Sequence, residues 1–305
     1  MITLRLDCVS RSFGRGRRVA LHPCSLAIHE GEIVGLVGPN GAGKTTMLRL
    51  IAGELPLTSG DLRIVGRRAG SLLARRAVGY ASDPPVAPPE LTGLEWLEYL
   101  ASHRVGHPGA RTALLQWAVE LAELQAFVGR RISEYSRGMI QRLGLAAAAV
   151  AGRSVLALDE VLSGIDPLVA RRLRGQISRL AAHGRSILIA SHDLATLERI
   201  ATRVLVLWEG RLAADVSVAT LVSERVAELS LAGHSLAAVD QLLMRFAGSV
   251  RTGDGVAVPL TKGLTIEKVM TACRSLRIAV AASRTRYRAL EDILVAAENR
   301  AAGGN

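Results

Sequence analysis

The 305-residue sequence predicts an α/β core with an inserted helical subdomain, followed by a smaller α+β segment. Three observations carry this expectation. Short runs at Ile33–Val37, Val155–Leu158 and Ser186–Ala190, apolar but for Ser186, have the composition of strands buried on both faces. A helical pattern follows the first run, which gives the strand–helix alternation of a parallel sheet. A proline cluster (Pro84, Pro85, Pro88, Pro89) cannot lie inside that sheet, and it opens a helix-rich stretch reaching about Val150.

In chain order, Ile2–Leu6 and Val19–Ile28 are predicted strands, partly alternating and broken at Gly14 and Gly16. After Ile33–Val37 comes a glycine-rich turn, then a helix over Thr45–Ala52 stopped by Gly53. Val78–Ala81 is a further short strand. Thr92 and Glu95 have the spacing of a capping box for a helix over about Leu94–Ser102. Ala110–Leu124 is a second helix, and Ser136 is a good N-cap for a third, Arg137–Val150. Val204–Leu207, Glu209-Gly210 and Leu212–Ala214 are predicted to form a hairpin.

Past about Val216 the predicted order is helix, strand, helix (Leu236–Phe246), two strands around Gly253-Asp254-Gly255, helix (Ile266–Leu276), strand (Ile278–Ala282) and helix (Tyr287–Glu298). Its central part fits the split βαβ pattern of ferredoxin-like domains. The expected domains are therefore residues 1–215, with the helical insert at about 84–150, and residues 216–305.

Composition narrows the function classes. Hydrophobic residues make up 49%, yet no run approaches the roughly 18 apolar residues that span a bilayer. Arg5 and Asp7 interrupt any apolar leader, so a soluble cytoplasmic protein is expected. Cys8, Cys24 and Cys273 lack metal-ligand spacing and are expected to be reduced structural thiols. The net charge of +11 is almost entirely arginine, with only Lys44, Lys262 and Lys268 as lysines. Aromatics are 3% and no basic block is interleaved with them, so no nucleic-acid partner is expected. The excess charge is a solvated arginine-rich surface, with a lipid headgroup surface as the alternative.

The strongest chemical signal is Gly38-Pro39-Asn40-Gly41-Ala42-Gly43-Lys44-Thr45, a G-x-x-x-x-G-K-[ST] motif between a buried strand and a helix. A turn without side chains lets successive backbone N–H groups converge on phosphate oxygens, and the helix N-terminus adds partial positive charge. Lys44 places a point charge at the β- and γ-phosphates, and the Thr45 hydroxyl can ligate Mg²⁺. Val155–Leu158 delivers Asp159 and Glu160 to the C-terminal edge of its strand, where phosphates lie in such sheets. Asp159 would hold Mg²⁺, directly or through water, and Glu160 would polarise the attacking water as general base.

Five ordered motifs carry a family resemblance: Gly38–Thr46, Tyr135-Ser136-Arg137-Gly138-Met139-Ile140-Gln141-Arg142, Asp159-Glu160, Ser163-Gly164-Ile165-Asp166-Pro167 and Ser191-His192-Asp193. Over residues 1 to about 215 the chain resembles the ATP-binding subunit of an ABC transporter, a P-loop NTPase. The resemblance implies ATP and Mg²⁺ as ligands, with Thr46 closing the phosphate loop. It implies that Phe13 stacks on adenine and that His192 contacts the γ-phosphate. It implies further that Ser136, Arg137 and Gly138 act on the nucleotide of the opposite subunit, and that Asp166 communicates across the dimer. The family signature usually reads Leu-Ser-Gly-Gly-Gln; here only the serine and the second glycine remain. Where the family has a glutamine that reaches Mg²⁺ or a water, this chain has Asp83.

The implied protein is a homodimeric ATPase at the cytoplasmic face of the membrane, bound to a separate polytopic membrane subunit that docks near the prolines after Asp83. Arg288-Ala289-Leu290-Glu291-Asp292-Ile293-Leu294 is similar to a stretch ending many export-type members, which makes an exporter the expected direction. Three other classes are disfavoured. A soluble ABC-type ATPase acting on ribosomes or DNA would carry duplicated ATP domains or a long coiled-coil insert. A nucleotide-sensing module would be expected to lose Glu160 or His192. A P-loop kinase would not need the signature motif.

Overall fold

The structure is a computed structural model that describes residues 1–302 apart from Arg15 and Lys262. Two long strands, β1 (Ile2–Phe13) and β2 (Arg18–His29), pair antiparallel at the start of the chain. The alternation expected only to Leu6 continues to Phe13 through a series of register shifts, with Cys8 at φ 48°. Those irregularities break the period-2 pattern and hide the strand's length in the sequence. Next come β3 (Ile33–Val37), α1 (Lys44–Ile51), β4 (Ser59–Ile64), the two-residue β5 (Arg67–Arg68) and α2 (Leu72–Ala77). β4, β5 and α2 were not anticipated; β4 buries only Leu62 and Ile64, too little to stand out as a strand.

β6 (Val78–Ala81) leads into α3 (Gly93–Ser102), α4 (Pro108–Leu121) and α5 (Arg137–Ala151). The expected capping box is present: Glu95 N–H donates to Thr92 Oγ1 at 3.2 Å, and Thr92 N–H donates to Glu95 Oε2 at 2.7 Å. α4 starts at Pro108 rather than Ala110, because proline suits the first helical turn. The three helices close over one apolar cluster that includes Leu97, Leu115 and Leu143.

β7 (Val155–Asp159), α6 (Pro167–Ala182), β8 (Ser186–Ala190), α7 (Leu194–Ile200), β9 (Arg203–Trp208) and β10 (Arg211–Ser217) complete the core. β2-β1-β4-β5 form one sheet and β10-β9-β3-β8-β7-β6 the other. In the second sheet β3 pairs parallel with β8 and β9, and β7 with β6 and β8. Every residue of β3, β7 and β8 is buried, as their largely apolar composition predicted, and the burial extends to Asp159 and Ser186. β9 and β10 turn at Glu209 (φ 46°) and Gly210 (φ 74°), the two left-handed residues a tight hairpin requires. Leu36, Met47, Leu48 and Leu188 share a core with Leu4, Leu6 and Leu62 of the first sheet.

The chain divides into the units Met1–Leu212 and Ala213–Asn305. The second contains α8 (Val218–Ser223), β11 (Arg225–Gly233), α9 (Leu236–Arg245), β12 (Val250–Thr252), β13 (Gly255–Pro259), α10 (Ile266–Ser275), β14 (Ala279–Tyr287) and α11 (Leu290–Ala302). From β11 to β14 the connectivity is βαββαβ, and the antiparallel strand order is β12-β13-β11-β14. Asp292 is buried at the start of α11 and accepts from both terminal guanidinium nitrogens of Arg286, at 2.8 and 2.6 Å.

Candidate active site

The loop between β3 and α1 needs glycine for steric reasons. Gly38 has φ 149°, and a Cβ there would lie 2.1 Å from the Leu207 carbonyl oxygen. Gly43 has φ 103°, and its Cβ would meet the Ala20 carbonyl at 2.6 Å. The loop is thus pressed onto β9 and β2 and cannot carry side chains on that side. α1 begins at Lys44 with no side-chain cap from Gly43, leaving first-turn N–H groups for an anion. Lys44 folds back over the loop and donates to the carbonyls of Gly38 (2.6 Å) and Pro39 (3.1 Å). Burial lowers its pKa, while the charges of Glu160 and Asp159 oppose that shift.

A cavity of about 370 Å³ opens above the loop, and its wall includes Asn40, Gly41, Gly43, Lys44, Thr45 and Thr46. Across it, Thr45 Oγ1 donates to Asp159 Oδ2 at 2.7 Å. Asp159 is 3% exposed, and burial pushes its carboxyl pKa upward. The Thr45 bond opposes this shift, while Glu160 and Asp83 add to it. Asp83 also lines the cavity, and its Oδ1 accepts from Gln141 Nε2 of α5 at 2.7 Å. Gln141 was not foreseen as a site residue; its neighbourhood in the signature segment was the available signal.

Glu160 closes the far side. It has φ 51°, an uncommon conformation for a side chain with a Cβ, and its N–H is tied to the Ala190 carbonyl at 3.0 Å. Glu160 Oε2 lies 2.9 Å from His192 Nδ1, whose side chain is otherwise 71% exposed. The histidine therefore reaches the site through Glu160 and is not itself part of the cavity wall.

At the other end Phe13 lines the cavity with Arg18, Val19 and Ala20. Phe13 is 36% exposed, so it is not a core side chain. The Arg11 guanidinium sits 4.5 Å from its ring centroid and also donates to the Pro56 carbonyl at 2.9 Å. Arg11, Arg18 and Val19 escaped sequence reasoning. The signal for Arg11 is its i,i+2 relation to Phe13, which places both on one face of a strand; Arg18 is opposite Phe13 in the β1–β2 register.

Gly38, Pro39 and Ala42 form the back of the loop, behind the cavity wall. Ser136, Arg137, Gly138 and Asp166 do not line the cavity of their own chain. Ser136 Oγ accepts from the Met139 N–H at 3.3 Å and caps α5. A Cβ on Gly138 would lie 3.3 Å from the Gly164 carbonyl, so the start of α5 rests on the 163–166 loop. Asp166 caps α6, accepting from Leu168 and Val169 N–H.

The donors fit a magnesium nucleotide. Among the described residues no group of three or more His, Cys, Asp or Glu side chains is arranged to hold a metal. Mg²⁺ commonly takes one or two carboxylates and completes its shell from phosphates and water. The Thr45–Asp159 oxygen pair beside an anion-binding loop offers that donor set.

Comparison with known proteins agrees with this geometry. Residues 21–163 match the ABC transporter family. An uncharacterized ABC transporter ATP-binding protein of Nostoc sp. is 35% identical over 68% of this chain, and the match spans 62% of that protein's length. The Nod factor export ATP-binding protein I of Paraburkholderia xenovorans is 32% identical over 73% of each chain. A dimeric ATP-binding cassette, solved in a post-hydrolysis state with ADP and Pi, superposes with a TM-score of 0.66. It is 23% identical and covers 70% of this chain and 98% of that one, a likeness of fold. The cavity over the phosphate loop, together with a relative 32% identical over 73% of each chain, places this chain in the ABC transporter ATP-binding family.

Proposed function

We propose that the chain is the ATP-hydrolysing subunit of a membrane transporter of the export type, working as a homodimer. The observation that carries this reading is the Thr45–Asp159 pair set against Glu160 above the phosphate loop. Loop amides and Lys44 hold the β- and γ-phosphates, and Phe13, backed by Arg11, stacks on adenine. Thr45, Asp159 and Asp83 hold Mg²⁺, which neutralises charge on the phosphate oxygens when bound. Glu160 accepts a proton from water as its oxygen attacks the γ-phosphorus. The bond to the β–γ bridging oxygen breaks, giving ADP and inorganic phosphate. His192, 2.9 Å from Glu160 Oε2, orients that carboxylate and reaches the γ-phosphate.

The signature residues support a dimer, because Ser136, Arg137 and Gly138 lie outside the cavity of their own chain. In a homodimer they present the N-terminus of α5 to the partner's γ-phosphate, with Asp166 beside the interface. The post-hydrolysis relative of this fold is itself dimeric. Among the described residues no helix is long and apolar enough to cross a membrane, which fits a separate polytopic subunit. That subunit docks in the cleft between Pro85, Val86, Trp96 and Leu100, holding this chain at the cytoplasmic face of the membrane. Export is supported by the Paraburkholderia relative. Residues 1–215 then form the ATP-binding domain and 216–305 an accessory domain for dimer contact or stabilisation.

The test is the ATPase rate of the purified chain beside that of Glu160→Gln. Wild-type turnover, with a variant that binds ATP and accumulates as an ATP-bound dimer, is the expected result. A variant that hydrolyses at the wild-type rate removes Glu160 from the base role.

A further inference from the structure

A second concave surface lies between α2 and the end of α3, with a volume of about 780 Å³. Arg67, Arg75, Arg76, Arg104 and Arg153 line it, and no acidic side chain does. Among the described residues none of the five forms an ion pair, whereas Arg49, Arg63 and Arg172 elsewhere on the same unit each hold a carboxylate. Two of them are accounted for by local structure. Arg104 donates to the carbonyls of Ala149, Val150 and Gly152 at the C-terminus of α5, and Arg153 bonds the Arg104 carbonyl. Burial, together with the nearby charges of Arg185 and Arg153, pushes the Arg104 pKa down to about 10, as expected where cations gather without counter-charge. Arg67, Arg75 and Arg76 are exposed. Arg75 and Arg76 lie in the last turn of α2, but a helix C-terminus supplies only about half a negative charge against them.

The same wall carries Leu72 and Leu73, 65% and 55% exposed, so apolar surface and cations are offered together. The groove also shares Leu100 and Ala151 with the cleft around Pro85 described above, so the two are neighbours on this face.

We propose that this groove receives an acidic segment with leucine-like side chains belonging to the membrane subunit, adjacent to the part that occupies the cleft around Pro85. The proposal rests on the transporter reading and names the chemistry of its partner. Carboxylates on that segment would meet Arg67, Arg75 and Arg76, and its apolar side chains would cover Leu72 and Leu73. A bilayer presents a broad surface and fits a recess poorly, which favours a protruding peptide over anionic lipid.

The test uses the full chain with three probes: a fluorescein-labelled helical peptide of Glu, Leu and Ala, the same peptide with Gln for Glu, and vesicles of phosphatidylglycerol and phosphatidylcholine. The Glu peptide is expected to bind at least about tenfold more tightly than the Gln peptide, to weaken with added salt, and to lose at least about tenfold on R75E/R76E. Both substituted side chains are exposed and helix-compatible, and the melting profile of the variant checks its fold. Equal binding of the two peptides, equal binding by wild type and variant, or preferential binding to the vesicles overturns the proposal. A fluorescent ATP analogue reports separately on the phosphate site. Its failure to bind wild type, with peptide recognition intact, removes the transporter reading and leaves the groove's chemistry standing.

Discussion

Gly38→Ala isolates steric fit in the phosphate loop from backbone preference. The added Cβ would lie 2.1 Å from the Leu207 carbonyl oxygen, about 0.9 Å inside the 3.0 Å that real Cβ atoms keep. The clashing oxygen is backbone, so it does not yield as a flexible side chain would. The loop must therefore move by roughly 1 Å, a displacement that can cost on the order of 10²-fold in turnover when it shifts reacting groups. Gly41→Ala supplies the control. Gly41 also has positive φ (83°), but an added Cβ meets nothing within 4 Å. Against the chain itself that variant bears only the conformational penalty of about 1–3 kcal/mol. Steady-state phosphate release at saturating Mg-ATP, with thermal melts to confirm folding, should show Gly38→Ala at least about tenfold below Gly41→Ala. Equal turnover of the two folded variants would refute the argument that contact with β9 sets the loop's position.

Glu160→Gln is expected to lower turnover by roughly 10²–10⁴-fold while ATP binding, followed with a fluorescent analogue, stays within a few-fold of wild type. Lys44→Ala should weaken ATP binding by roughly 10- to 150-fold, the range for losing a charge-assisted hydrogen bond; unchanged affinity would count against the phosphate cradle. Phe13→Ala should cost about 1–3 kcal/mol in ATP affinity and Arg11→Leu a smaller amount, about 0.5–1 kcal/mol, both read by titration calorimetry. Asp159→Asn tests the buried carboxylate. Burial raises its folded pKa above the ordinary 3.8, so ionisation favours the unfolded chain, and nucleotide-free stability falls as pH rises from 3.8 through the raised value. The nucleotide-free variant should therefore gain in melting temperature over wild type across that window and keep the gain at neutral pH, while losing Mg-dependent ATP binding. Melting curves that stay parallel across pH would contradict this account.

The parts of the fold most legible in the sequence were those whose physics is local. β3, β6 and β8 were predicted with the boundaries observed, because buried parallel strands are short apolar runs that cannot hide. The α3 cap and the Glu209-Gly210 turn were visible for the same reason: each depends on a few adjacent residues. β1 was cut short in the prediction, since its bulges interrupt alternation and its pairing with β4 depends on residues about fifty to sixty positions away. The phosphate loop and the Asp159-Glu160 pair were readable because their spacing is imposed by one strand and one turn. The Arg11–Phe13 stack, the Asp83–Gln141 bond and the closeness of His192 to Glu160 were not, since each is a meeting of side chains that only the folded backbone arranges.

The hairpin between β9 and β10 has a consequence for how the protein can be observed. The Gly210 amide donates to the Ala42 carbonyl on the reverse of the phosphate loop at 3.1 Å, and the Gly210 carbonyl accepts from His22 at 2.8 Å. The chain thus leaves the nucleotide-binding sheet through a turn stitched to the loop itself. A proton at that amide exchanges with solvent only when the stitch opens, so its exchange rate is a built-in gauge of loop tension.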